Sequence, residues 1–205
     1  LDLELGRESE LTHYDWITDT TVHDGSAWAY MKNSKYKTTT DLVHYLIDNV
    51  SKNGYMLLNI GPKPDGTIPE EDKNLLEGIG NWLDVNGEAI FETETWDQYG
   101  EGPTKMNEAG PFSDNRAKLI YTAKDFRFTT KDNFLYATAL GWPSKDFTIE
   151  SIYKLFDNEI ERVELLGSTD KVEWKHTRDG LHITRPDNKP CEHAYSFKIT
   201  RKEYL

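Results

Sequence analysis

The feature that most constrains this chain is a change of hydrophobic period a little past residue 100. Before it, apolar residues recur at helical spacing or form one short unbroken run; after it, they alternate in brief segments between turn residues. Amphipathic helices flanking a continuous apolar strand imply a parallel sheet, whereas many short alternating strands imply a sandwich or barrel. A chain of 205 residues holding both periods is therefore expected to contain two units, 1–102 and 103–205. Charge divides at the same place. Residues 1–102 carry 20 acidic and 7 basic side chains, and 103–205 carry 16 and 17, within a net charge of −12.

In the first unit, Thr38-Thr39-Thr40-Asp41 offers a capping box, and Leu42, Tyr45, Leu46, Asn49 and Val50 follow at helical spacing until Asn53-Gly54. This predicts a helix over about 40–52. The apolar run Tyr55–Ile60, closed by Gly61-Pro62, suits a strand buried on both faces. A second helix is expected from about Pro69, with Leu75, Leu76, Ile79, Trp82 and Leu83 as its buried stripe and Asn86-Gly87 at its end. Glu88–Glu92 reads as a further strand, and Gly100 to Pro103 as a linker.

In the second unit the candidate strands are Ala117–Thr122, Asp125–Thr129, Phe134–Leu140, Thr148–Ile152, Ile160–Leu166, Val172–His176, Leu181–Ile183 and Ala194–Ile199. Their spacing predicts an all-β module, a sandwich or barrel.

If 1–102 belongs to a (β/α)8 barrel, it supplies two or three of the eight units of a fold that needs about 250 residues. It cannot close such a barrel alone. The chain opens inside a patterned segment without Met at position 1, so an upstream part is expected.

Several function classes are disfavoured. No apolar run approaches the roughly 20 residues that span a bilayer, and the opening LDLELGRESE is charged throughout, unlike a signal peptide. The acidic balance argues against nucleic acid or an anionic membrane as partner and favours a neutral ligand. Cys191 is the sole cysteine, which excludes an intrachain disulfide and a cysteine zinc cluster. No phosphate loop, nucleophile elbow or zinc signature is present, so no metal and no cofactor is expected. Glu70, Glu71 and Asp72 read as a solvated helix N-terminus and His44 as a packed or surface residue, while His13 and His23 bracket an aromatic-rich loop without starting a ligand motif.

Barrel enzymes work at the C-terminal ends of their strands. That rule points to Asn59 and Gly61, to Trp28 within Ser26–Met31, and to carboxylates of the opening segment. Asn59 either supports the following loop or faces a ligand. Trp28 is either core or an aromatic wall for a sugar ring or methyl group.

The run Leu46–Pro69, LIDNVSKNGYMLLNIGPKPDGTIP, with Ile79–Leu83 and Asn86–Phe91, resembles the C-terminal part of the catalytic barrel of the α-L-fucosidases, family 29 of the glycoside hydrolases. Asp15–Thr20 and Ser26–Tyr30 look like the segment just before it, and residues 115–199 are similar to the β-sandwich that follows the barrel. The resemblance covers almost the whole chain. It implies the C-terminal portion of a (β/α)8-like barrel followed by an antiparallel β-sandwich. It also implies retaining hydrolysis of terminal α-L-fucose from glycoconjugates by two carboxylates about 5–5.5 Å apart. The family's nucleophilic Asp lies well upstream of the segment matching Trp16, and no counterpart exists here. Glu4 is the best match to the acid/base, with Glu8 and Glu10 as runners-up, and Trp28 matches the aromatic that contacts the fucose methyl group.

The resulting expectation is a piece of an exo-glycosidase that is inactive alone, with a fucosylated glycan as substrate and the upstream part of the same enzyme as partner. A periplasmic, secreted or lysosomal location follows from the resemblance, and a homo-oligomer is compatible with it. Two alternatives stay open. One is a non-catalytic sandwich that binds glycan through Trp142 and Trp174 or simply packs on the barrel. The other is an intact small α/β enzyme with two convergent carboxylates in a closed pocket.

Overall fold

In the computed structural model, which describes residues 1–25, 27–115 and 118–202, helix α1 (Thr39–Ser51) starts where side chains satisfy its free backbone donors. Asp41 N donates to Thr38 Oγ1 at 3.1 Å and Thr38 N donates to Asp41 Oδ2 at 2.9 Å, the reciprocal cap that the sequence announces. Strands β1 (Trp16–Thr21) and β2 (Gly54–Asn59) flank α1 in sequence and pair in parallel, Trp16 opposite Gly54 and Thr21 opposite Asn59. Glycine is required at 54, because a Cβ there would lie 2.4 Å from the Trp16 indole. The opening segment extends this sheet beyond β1: Asp2 bridges Ile17 in parallel, and Leu5 N donates to Asp19 O at 3.0 Å.

One face of the sheet is covered by α1 and by α2 (Glu70–Asn86), around Val22, Leu42, Val43, Ile47, Leu75, Ile79 and Trp82. The other face is bare: Tyr55 and Leu57 are 58% and 57% exposed and Ile17 is 36% exposed. The expectation of a strand buried on both faces therefore fails for β2, because no described residue forms a layer over that side.

Residues 88–92 do not form the expected strand. Ile90 and Phe91 N–H groups both turn back to Gly87 O, closing a short 3₁₀ turn that reverses the chain out of α2. Strand β3 (Glu94–Glu101) follows and pairs antiparallel with β4 (Phe126–Lys131), with a register shift between Thr95 and Gly100. The segment 94–101, expected in the first unit, is thus hydrogen-bonded into the second, and the expected linker at 100–103 begins inside a strand.

The rest is antiparallel. Strands β5 (Phe134–Ala139), β6 (Phe147–Ile149), β7 (Ile160–Leu165), β8 (Trp174–Thr177), β9 (Gly180–Ile183) and β10 (Tyr195–Arg201) complete two sheets, ordered β3-β4-β5-β10-β7 and β6-β9-β8. Their facing sides enclose Phe126, Phe128, Leu135, Ile149, Val163, Leu181, Phe197 and Ile199. Residues 118–122 are irregular, and Ser26 and Ala117, each named above in a sequence segment, lie outside the described residues. Trp142 and Trp174 are half-buried against this core. Trp142 meets Tyr195 edge-on at 4.7 Å and carries Arg185 over its ring, so the two tryptophans pack on the core and do not form the platform that the glycan-binding alternative needs.

The two units are joined by a buried charge cluster. Asp48 of α1 is fully buried and pairs with Arg127 of β4 at 2.6 Å, Lys52 at 2.9 Å and Arg7 at 3.4 Å, while Arg7 also reaches Asp114 at 3.1 Å. Burial alone would raise the Asp48 carboxyl, but Lys52, Arg127 and Arg7 outweigh it and hold it well below the usual carboxylate range.

Candidate functional site

Three parallel chain segments end side by side, the opening segment at Leu5, β1 at Thr21 and β2 at Asn59. The loop after β1 folds across these ends and places Trp28 over the first. Its indole Nε1–H donates to Glu4 Oε1 at 3.2 Å, and both side chains are half-buried. Asn59 Nδ2 donates to Trp28 O at 2.8 Å, so Asn59 supports that loop, one of the two roles expected of it. Phe112 N donates to Glu4 O at 2.7 Å and Asp114 N to Leu5 O at 3.0 Å, which anchors the Glu4 backbone from behind.

The support beneath is dense. Gly61 passes so close to the Trp28 loop that a Cβ would lie 2.8 Å from Tyr30 N, and Gly61 N donates to Asp72 Oδ2 at 3.0 Å. Asp72 is fully buried rather than part of the solvated helix start expected from Glu70-Glu71-Asp72. It staples the β2 loop to the first turn of α2. The Tyr36 hydroxyl is pushed up to about 12, first by burial and then by Asp72. His23, fully buried with no hydrogen bond to either ring nitrogen, packs on Tyr36 at 4.8 Å, and burial holds its pKa down. Lys37 Nζ donates to Thr21 O at 2.6 Å and His23 O at 2.9 Å, fixing the exit of β1.

Glu8 and Glu10 do not join this group. Glu8 accepts from Tyr14 OH at 2.9 Å and its carbonyl accepts from Lys52 Nζ at 3.1 Å, which places it at the start of β1 and the end of α1, the opposite end of the sheet; Glu10 is exposed. His13 is exposed, and His44 packs inside, its Nε2 donating to His193 O at 3.0 Å.

Asp19 was missed by sequence reasoning. It sits midway along β1 on the bare face, opposite Leu57, and its carboxyl is raised first by burial and then by the charges of Asp2 and Glu4. The signal that finds it is register: Leu5 N bonds Asp19 O, so a carboxylate at 19 neighbours one at 4. Chemically, Glu4 is a carboxylate steadied by an indole N–H beside an apolar ring, a group suited to giving and taking a proton next to a ligand with an apolar edge. Among the described residues no group of three or more His, Cys, Asp or Glu could hold a metal ion.

Comparison with known proteins shows what the chain as a whole is similar to. The family model for α-L-fucosidase matches residues 2–88, and that for the α-L-fucosidase C-terminal domain matches residues 118–200. The plasma α-L-fucosidase of Pongo abelii is 31% identical over 198 residues, covering 93% of this chain and 38% of its own length. The tissue enzyme of Rattus norvegicus is 29% identical over 203 residues, with 95% and 39% covered. The chain thus spans about two fifths of the relatives it matches. The Thermotoga maritima α-fucosidase in complex with fucose superposes with a TM-score of 0.72 at 27% identity, over 95% of this chain and 41% of that one. Isoenzyme 1 from Paenibacillus thiaminolyticus, at 22% identity and a TM-score of 0.75, shares the fold over 98% of this chain and 45% of its own.

Proposed function

This chain belongs to the α-L-fucosidase family, and on that premise we propose that the strand ends around Glu4 and Trp28 form one wall of a pocket for a terminal α-L-fucose unit of a glycan. The contact that carries this reading is the 3.2 Å hydrogen bond from Trp28 Nε1 to Glu4, which ties the family's two matched positions into one unit. Trp28 offers the sugar an apolar surface, and Glu4 protonates the departing glycosidic oxygen and then deprotonates the incoming water.

Retention needs a second carboxylate about 5–5.5 Å away that is ionised when it attacks. Asp19 is a described carboxylate near Glu4, yet it lies midway along β1, opposite Leu57, and not at the strand ends that Trp28 covers. The nucleophile therefore belongs to a part of the enzyme that packs over Ile17, Tyr55 and Leu57 and supplies the remaining strands. The division between the units is put at about residue 93, ahead of the expected 102/103, because β3 pairs with β4 of the sandwich. Outside the described sheet, the partner is that upstream part of the same enzyme, and the location is periplasmic, secreted or lysosomal. No helix among the described residues is long and apolar enough to cross a membrane.

The test is complementation. The 205-residue chain alone should not hydrolyse an aryl α-L-fucoside. Co-expression with a polypeptide carrying the family's preceding barrel strands should restore turnover. In that complex Glu4→Gln should slow a fucosyl disaccharide by about 10²–10⁴-fold, the usual worth of a positioned general acid, and slow an activated aryl fucoside less. Full turnover of the disaccharide by Glu4→Gln, or hydrolysis by the lone chain, overturns the assignment.

A further inference from the structure

At the other end of the molecule lies an open cleft of about 570 Å³ in the β-sandwich, within the size range of small-molecule sites. Its floor is apolar: Leu135, Ile152, Ile160 and Ile199 are the ends of core strands and of the segment before β7. Above them stand three aromatic side chains, half-buried Trp96 of β3 and the exposed Tyr153 and Phe156. The topology separates this cleft from the Glu4–Trp28 end. Strands β1 and β2 run towards that end, α2 runs back from it, and Glu92, just after α2, is ion-paired to Lys131 at the β4–β5 turn, whose residues Asp132 and Asn133 line the cleft.

Two observations mark the cleft as built. The exposed apolar flap is rigidly held: Glu159 Oε1 accepts the backbone N–H groups of both Leu155 and Phe156, and Lys154 N donates to Thr177 O at 2.8 Å. A flap tied in this way loses less backbone freedom on binding. The cleft is also rich in acceptors. The exposed Asp97 and Asp132 carboxylates receive no hydrogen bond among the described residues. The lining carries three carboxylates, Asp97, Asp132 and Glu159, against Arg201 and Lys202, a balance that disfavours an anion.

A ligand that suits this inventory has an apolar face for the rings, several O–H donors for the carboxylates, and no negative charge. We propose that this cleft is a second carbohydrate-binding site, taking one neutral pyranose unit of a glycan, separate from the Glu4–Trp28 wall and independent of whether that wall is catalytic.

The experiment is a ¹H–¹⁵N NMR titration of the full chain with methyl α-L-fucopyranoside, methyl β-D-galactopyranoside and methyl β-D-glucopyranoside. For at least one of them, saturable shifts are expected at the Trp96 indole and at Gln98, Asn133 and Phe156. Tyr153→Ala and Phe156→Ala, both on exposed side chains, should each weaken that binding about tenfold, the loss of one aromatic contact, with unchanged Tm; Trp28→Ala should leave it intact. Absence of saturable shifts, shifts confined to the Trp28 end, or equal affinity in the Tyr153 and Phe156 variants and the unsubstituted chain would each overturn the proposal.

Discussion

The two sheets of this protein obey opposite rules. The antiparallel sandwich closes on itself: Phe128, Phe197 and Ile199 are fully buried between β3-β4-β5-β10-β7 and β6-β9-β8. The parallel sheet of β1, β2 and the opening segment has helices on one face and exposed Ile17, Tyr55 and Leu57 on the other. Parallel sheets are normally covered on both sides. A core that is complete within the chain thus sits next to one that is half complete, and the candidate site belongs to the incomplete one. The sandwich holds the sheet in shape through Asp48 while leaving its open face free to receive more strands.

Removing the link between the regions should have the largest effect. Asp48→Asn leaves Arg7, Lys52 and Arg127 buried against a neutral amide, and destabilisation of about 3–5 kcal/mol is expected by denaturant unfolding. A loss below about 1 kcal/mol would show that the cluster does not couple the regions. Acid should act on the same link. The Asp48 carboxyl is depressed in the fold, so its stabilisation is present above the unfolded value of 3.8 and is lost as pH falls below it. His44, whose pKa is lowered first by burial, should add an earlier loss as pH falls through its ordinary 6.5. Unfolding free energies measured between neutral and acidic pH should therefore decline in two stages.

Next come substitutions that contrast the two cores. Ile199→Ala, in the closed core, should cost about 2–5 kcal/mol. Leu57→Ala, on the bare face, should change stability by no more than about 0.5 kcal/mol. Leu57→Lys should instead lower self-association, measured by sedimentation at rising concentration, because it interrupts an exposed apolar patch. Equal costs for Ile199→Ala and Leu57→Ala would abolish the contrast. A small effect on stability is also expected at the site. Glu4→Gln keeps an acceptor for the Trp28 indole but loses its charge, and thermal unfolding should report less than about 1 kcal/mol.

How far the sequence was readable follows the same division. The helices were legible because their signals are local: Thr38 with Asp41 at one start, Pro69 at the other, and Asn86-Gly87 at an end. Most sandwich strands were legible from alternation bounded by turns. What escaped depends on distant partners. Burial of β2 is set by whatever covers Tyr55 and Leu57, which periodicity cannot reveal. Glu88–Glu92 has strand composition, but reversal out of α2 decides its conformation. The sequence Glu94–Glu101 carries a register shift that spoils alternation, so its end passed for a linker. At the site, Glu4 and Trp28 were named through family resemblance, whereas Asp19 and the buried Asp72 required the register of the opening segment and the path of the β2 loop. Trp142 and Trp174, for which the sequence left glycan binding or packing open, are core neighbours, while the aromatic cleft draws Trp96, Tyr153 and Phe156 from segments more than fifty residues apart in the chain.

The allegiance of β3 decides where the gene can be cut. A sandwich expressed from Pro103 onward would lack an edge strand and leave the outer backbone groups of β4, from Phe126 to Thr130, without partners, a template for sticking to neighbouring molecules. Expressed from Thr93 onward, it would keep that edge sealed.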